Sequence, residues 1–94
     1  MSDKPYQLML FVAQGQPNSV RAQKNLRQIC EEVIPGKYHL KVIDVVKEPE
    51  LAVENGIYLT PMLVVSDPPP PASITGDMAE RKTVLAALKI GGGQ

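Results

Sequence analysis

The sequence contains one cysteine, Cys30, and one histidine, His39, among its 94 residues. A single cysteine excludes an internal disulfide bond, and with a single histidine it cannot complete the usual donor set of a zinc site. The absence of tryptophan, with one phenylalanine and three tyrosines, leaves few rings on which nucleic-acid bases could stack. The formal net charge is zero, which gives no electrostatic reason to expect nucleic acid or an anionic membrane. We therefore predict no metal, no cofactor, no nucleic acid and no membrane among its ligands.

No apolar run is long enough to span a membrane, and no early segment has the charged-then-apolar layout of a signal peptide. Together with the lone thiol, these absences predict a cytoplasmic protein. The length suits one compact domain, so residues 1–94 are expected to fold as a single unit. Domains of this size are marginally stable, so a homo-oligomer is one candidate for the functional form.

Short apolar runs and helix signals alternate along the chain. Strands are predicted at residues 8–12, 38–45, 62–66 and 72–75, and helices between 18 and 34, within 48–56 and within 76–90. The order β-α-β-α-β-β-α contains two strand–helix–strand units, which predict parallel pairing with right-handed crossovers. The last two strands pair through a proline run at residues 67–71, which is expected to cross the surface in extended form.

Capping signals predict where the helices begin and end. Asn18 or Ser19 is the candidate N-cap of the first helix, and both are expected to be structural. In the last helix, Asp77 is the candidate N-cap and Glu80 completes a capping-box-like pair. Lys89 falls in the predicted last turn, where a cation suits the helix dipole, and the glycines at 91–93 end the helix.

The first helix carries the clearest functional signal. Its apolar face includes Cys30, which is expected to be an inert core thiol, with a reactive redox thiol as the alternative. On the polar face, Arg21, Lys24 and Gln28 line one stripe with Arg27 beside it. These cations lie in the N-terminal half, where they oppose the helix dipole. We predict a docking surface that receives carboxylates of a partner protein; a merely solvated face is the alternative.

The element order, with a proline entering the third strand, resembles the thioredoxin fold. That resemblance implies a mixed sheet and a cis peptide bond between Thr60 and Pro61. Catalytic thioredoxins carry a C-x-x-C pair at the first strand-to-helix turn, where this sequence reads QPNS at residues 16–19. The redox pair is absent, so only Cys30 could support thiol chemistry.

A more specific resemblance is to the KaiB family. The matching stretches are PNSVRA (17–22), LKVIDV (40–45), EPELA (48–52), TP (60–61), PPP (68–70), GD (76–77) and RKTVL (81–85). The resemblance implies a non-enzymatic protein that docks on the N-terminal ATPase ring of a KaiC-type hexamer. It also implies structural roles for Thr60, Pro61, Gly76 and Asp77. In cyanobacterial clocks the docked form captures KaiA and displaces a histidine kinase, so a histidine kinase pathway is a further candidate partner.

Three departures from the clock pattern shape the functional prediction. Clock members usually carry basic residues after the proline run, a lysine in the third strand and an acidic tail. This sequence has instead Ala72 and Ser73, the run VVS at 64–66, and GGGQ at 91–94. We therefore expect a KaiB-type regulator of a KaiC-like ATPase that acts outside a complete clock. A single-cysteine redox protein and an input domain of a histidine kinase are the alternatives.

The family is known in two folds, a resting tetramer with a rearranged C-terminal half and a thioredoxin-like binding form. Aligned through the GD pair, clock members tend to have Gly where Ala87 stands and an acid where Lys89 stands. Ala86, Ala87 and Lys89 favour a C-terminal helix, so we predict the thioredoxin-like fold. The resting fold, with a strand across residues 84–89, is the alternative.

Overall fold

The elements form in the order that the sequence predicts. A computed structural model describes residues 4–90. It contains β1 (Tyr6–Val12), α1 (Pro17–Val33), β2 (Tyr38–Asp44), α2 (Pro49–Glu54), β3 (Met62–Asp67), β4 (Ala72–Thr75) and α3 (Arg81–Ala87). The predicted β-α-β-α-β-β-α arrangement is confirmed. Residues 84–87 are helical, so the resting-fold alternative is not the fold described here.

The four strands form one mixed sheet in the order β2-β1-β3-β4. Strand β2 runs parallel to β1, whereas β3 is antiparallel to β1 and β4 is antiparallel to β3. The expectation that both strand–helix–strand units pair in parallel is therefore wrong for the second unit. Helix α2 has six residues and spans only about 9 Å, too short to return the chain along the seven residues of β2. Strand β3 consequently begins at the same end of the sheet at which β2 ends, and it runs in the opposite direction.

Side chains that alternate along the strands build two apolar clusters, one on each face of the sheet. The larger cluster lies beneath α1 and α3 and includes Leu10 of β1, Leu26 of α1 and Leu88, all with no exposed surface. The smaller cluster lies beneath α2 and is centred on Phe11 and Ile43. Burial on both faces explains why β1 is apolar at consecutive positions. Each such leucine contributes roughly 1.5–3 kcal/mol through removal of its side chain from water.

Helix α1 begins earlier than the capping signals suggest. Pro17 is its first residue and Gln16 is the N-cap, with no side-chain capping bond, so the N-cap roles predicted for Asn18 and Ser19 are wrong. Proline suits the first helical position because its missing N–H would have no partner there. Ser19 is still structural: its buried hydroxyl oxygen accepts a hydrogen bond from the Ala13 N–H at 3.0 Å and fixes the strand-to-helix turn.

Helix α3 begins at Arg81, four residues after the predicted cap Asp77. The Asp77 carboxylate accepts a hydrogen bond from the Ala79 N–H at 3.0 Å, which makes a local turn instead of a helix start. Met78 then adopts a left-handed backbone conformation, with φ of 63°, which a helix cannot include. Glu80 occupies the N-cap position without a side-chain bond, so the predicted capping box is also wrong.

The C-terminal end of α3 also differs from the prediction. The helix ends at Ala87, and Lys89 lies beyond it with φ of 59° instead of in the last turn. The N–H groups of Lys89 and Ile90 donate to carbonyls of the final turn, which is the pattern of a Schellman cap. The glycines at 91–93 lie outside the described residues.

The connection between β3 and β4 is the proline run. It bends at residues 68–70, so the prediction of an extended run is wrong. The Lys89 ammonium donates hydrogen bonds to the carbonyl oxygens of Pro68 at 3.0 Å and Pro70 at 2.7 Å. The C-terminal end of α3 is thereby attached to this loop. The predicted cis peptide bond between Thr60 and Pro61 is confirmed, and the run contains two further cis bonds, before Pro68 and Pro70.

Candidate docking surface on helix α1

The four residues predicted to bind a partner all lie exposed on α1, but their neighbours differ. Arg21 and Gln28 lie on the side of the helix that faces residues 77–81. Lys24 lies one helical turn from both on the outward face, and Arg27 lies beside Lys24, farther round the helix. The two groups therefore differ in what they can offer to a partner.

Arg21 is held by two neighbours within the molecule. Its Nε atom lies 3.5 Å from the Asp77 carboxylate oxygen Oδ2, and its Nη2 group donates to the side-chain oxygen of Asn18. Gln28 borders a cavity of about 220 Å³ between α1 and residues 78–81, with Asn25, Met78 and Arg81 also in its lining. These two predicted docking residues thus contact or border the C-terminal part of the chain.

The outward residues form what we call the outer stripe: Val20, Lys24 and Arg27. Spacings of four and three residues place them on one helix face. Within residues 4–90, Lys24 and Arg27 have no ion-pair partner within 4.0 Å, and Val20 is 59% exposed. The outer stripe consequently combines an exposed apolar side chain with two available cations.

The C-terminal end of the outer stripe is bounded by a bridge to the sheet edge. The Tyr38 hydroxyl on β2 donates a 2.7 Å hydrogen bond to the Glu31 carboxylate on α1. This bond, followed by burial and the Glu31 charge, raises the pKa of Tyr38 to about 12. The Tyr38 hydroxyl therefore keeps its proton and remains a donor to Glu31 across the physiological range.

The strand-to-helix turn and the Thr60-Pro61 peptide lie side by side. A shallow cavity of about 370 Å³ is lined by Ala13, Gln16, Pro17, Asn18, Arg21 and Thr60. None of these six side chains is a thiol, a carboxylate or an imidazole. In the described part of the chain, no cluster of three or more His, Cys, Asp or Glu residues could hold a metal ion. The turn where thioredoxins place their cysteines therefore offers hydrogen-bonding groups and one cation.

Cys30 lies in the main core with no exposed surface. Burial raises the pKa of its thiol to about 11, with a smaller contribution from the Glu31 charge. The reactive species is the thiolate, which this environment suppresses. His39 is exposed, and its Nδ1 atom accepts a 3.4 Å hydrogen bond from the Gln7 amide. These environments argue against the single-cysteine redox alternative.

Sequence reasoning missed a group of exposed apolar side chains on and around α2. Val46, Val53, Tyr58 and Leu59 are 75%, 76%, 89% and 64% exposed. Tyr58 and Leu59 directly precede Thr60, which lines the cavity at the turn. Four large apolar residues in a short helix and its flanking turns were a signal in the sequence, because a six-residue helix cannot bury them all.

Solved structures place the fold in the thioredoxin-like class. The N-terminal domain of Synechococcus elongatus SasA matches with a TM-score of 0.77 at 24% identity, covering 97% of this chain and 87% of that one. The thioredoxin Deadhead of Drosophila melanogaster matches with a TM-score of 0.75 at 20% identity, covering 94% and 83%. The chain therefore has a thioredoxin-like fold and lacks the thioredoxin redox pair.

Sequence comparison identifies the family within that class. Residues 9–90 match the KaiB domain family, and the chain belongs to this family of non-enzymatic clock proteins. It is 51% identical over 87 residues to the circadian clock oscillator protein KaiB of Microcystis aeruginosa, covering 93% of this chain and 84% of the relative. The circadian clock oscillator protein KaiB1 of Synechocystis is 49% identical over the same length, covering 93% and 83%. Across residues 4–90, no helix has the length and hydrophobicity of a membrane span.

Proposed function

We propose that this protein is a regulator that docks on a KaiC-like hexameric ATPase through the exposed face of α1. The observation that carries the proposal is the outer stripe, in which Lys24 and Arg27 lack an internal ion-pair partner among the described residues and lie beside exposed Val20. Membership of the KaiB family and the clock names of its relatives support this partner class.

The charges of the outer stripe act mainly on association. Exposed cations contribute little to folding stability, and Lys24 and Arg27 lie beyond the first turn of α1, where the helix dipole acts most strongly. The same charges steer an acidic partner toward the correct face and raise the association rate.

We further propose that the apolar side chains around α2 extend the docking surface. Leu59 and Tyr58 precede Thr60, which borders the same cavity as Arg21. Interfaces gain most of their affinity from a few buried aromatic and aliphatic side chains. Tyr58, at 89% exposed, is the largest such side chain available.

The cellular setting follows from the same proposal. We place the protein in the cytoplasm, with a KaiC-like ATPase as first partner and a histidine kinase pathway as a second. Ala72 and Ser73 stand where clock members usually carry basic residues, which favours a role outside a complete clock. The proposal includes a homo-oligomer as an alternative form of the protein when it is not bound to the ATPase.

The test is an affinity capture from native lysate with identification of the retained ATPase. The wild-type chain is compared with Lys24→Ala/Arg27→Ala and with Lys37→Ala/Lys82→Ala, a control that removes the same charge from two exposed lysines elsewhere. We expect a KaiC-like ATPase with the wild type and the control, and little with the stripe variant. Equal retention by both variants would refute the outer stripe as the docking site. Absence of any KaiC-like ATPase would refute the partner.

A further inference from the structure

Arg21 differs from the other cations of α1 because an internal carboxylate already faces it. The Asp77 carboxylate lies 3.5 Å from the Arg21 Nε atom, with 55% and 33% of the two side chains exposed. Exposed pairs of this kind are weak, so the ion pair alone would not keep Asp77 in place.

Three other contacts hold Asp77 beside α1. The half-buried Asn25 side chain donates a 2.9 Å hydrogen bond to the Asp77 backbone carbonyl. The Asp77 carboxylate accepts the Ala79 N–H at 3.0 Å through its other oxygen. The next residue, Met78, is 4% exposed and anchors the segment in the main core despite its left-handed backbone. These contacts hold the Asp77 segment beside α1, so its carboxylate faces Arg21 without depending on the ion pair.

We propose that Asp77 is an internal competitor for Arg21 and lowers the affinity of the docking surface for carboxylates of a partner. The inference rests on the docking function proposed above, because Arg21 lies one helical turn from Lys24 and is one of the four residues predicted to bind the partner. An incoming carboxylate must share or displace Asp77 at Arg21. Lys24 and Arg27 have no ion-pair partner among the described residues, so this control acts at Arg21 alone within the predicted site.

The competition can be measured without the natural partner. The probe is a hexaglutamate peptide titrated at low salt into the isotope-labelled full chain, with binding followed by NMR shifts of the α1 amides. Asp77→Asn keeps a side-chain oxygen for the Ala79 N–H and removes only the charge. We expect Asp77→Asn to tighten binding about two- to five-fold, the range that loss of one exposed ion pair allows.

Two matched variants separate competition from net charge. Asp67→Asn removes the same charge from an exposed pair with Lys4, at 4.0 Å, and should leave the affinity within the experimental error of the wild type. Arg21→Ala/Asp77→Asn should bind no more tightly than Arg21→Ala. Asn25→Ala removes one of the three contacts that hold Asp77 and should tighten binding by a smaller factor than Asp77→Asn, which provides a second route to the same result.

Several outcomes would overturn the proposal. Equal tightening by Asp67→Asn would mean that net charge alone acts, and unchanged affinity in Asp77→Asn would mean that Asp77 does not compete. Absence of hexaglutamate binding to every variant would equally overturn it, because Arg21 would then not accept carboxylates. None of these results depends on the ATPase, so failure here and failure of the lysate capture are distinguishable.

Discussion

Lys89 provides a quantitative test of how the C-terminal part of the fold is held. The residue occupies the left-handed position after α3, where glycine is usual, with φ of 59°. A side chain at this position costs roughly 1 kcal/mol relative to glycine. The ammonium offsets that cost by donating to the carbonyl oxygens of Pro68 and Pro70. At the exposed surface these two bonds contribute about 0.5 kcal/mol each, the low end for hydrogen bonds.

Three substitutions at Lys89 separate the contribution of its hydrogen bonds from the cost of its left-handed backbone. Lys89→Ala loses the hydrogen bonds and keeps the backbone cost, so it should destabilise by about 1 kcal/mol. Lys89→Gly loses the same bonds but relieves the backbone, so it should remain within about 0.5 kcal/mol of the wild type. Lys89→Asp loses the bonds and places an anion at the helix C-terminus, which adds roughly 0.3–1 kcal/mol of destabilisation.

Urea and thermal unfolding followed by circular dichroism measure these differences, with about 4–8 °C expected per kcal/mol in a domain of this size. NMR secondary shifts across residues 84–89 show whether Lys89→Asp also populates the strand of the alternative family fold. Equal destabilisation by the Ala and Gly variants would refute the backbone argument. A wild-type chain with strand shifts at 84–89 would refute the assignment of the free protein to the thioredoxin-like fold.

Three further predictions concern the core and the edge bridge. Cys30→Ala should lower the free energy of unfolding by about 1 kcal/mol and leave ATPase capture unchanged. In the native protein the Cys30 thiol should react with a thiol reagent only as fast as the protein unfolds. Rapid modification of the native protein would restore the redox alternative. Leu26→Ala should lower the free energy of unfolding measured in urea by about 2–5 kcal/mol, because Leu26 is fully buried in the larger apolar cluster. A decrease below about 1 kcal/mol would contradict the packing described. The pKa of Tyr38 is raised from 10 to about 12, so its bridge stabilises the fold below pH 10 and is lost as the pH rises toward 12. Tyr38→Phe should remove the tyrosinate absorbance step near pH 12 and flatten that part of the stability profile; an unchanged profile would show that the bridge is unimportant.

Local patterns were sufficient to predict most elements. The apolar run in β1, the helical spacing of Leu26 and Cys30, and the proline before β3 each report a short-range preference that tertiary contacts left unchanged. The KaiB resemblance likewise depended on short stretches in sequence order, which family comparison confirms. Burial of Cys30 was also predictable, because its helix face is apolar throughout.

Long-range contacts decided the remaining features. The capping signals at Asp77 and Glu80 predicted a helix start, but burial of Met78 and the bond from Asn25 hold the segment in a turn. A capping bond contributes about 1 kcal/mol, less than the burial of a large apolar side chain, so the local signal was overridden.

The candidate docking surface also combines features that the sequence determines with features that only the tertiary structure decides. Helical spacing in the sequence determined that Arg21 and Lys24 share the polar surface of α1. Only the tertiary structure decided that Arg21 faces Asp77, 56 positions away in the chain, while Lys24 has no ion-pair partner among residues 4–90. Spacing along a helix fixes directions about its axis, but which of those directions meets another segment depends on how α1 packs against the rest of the chain.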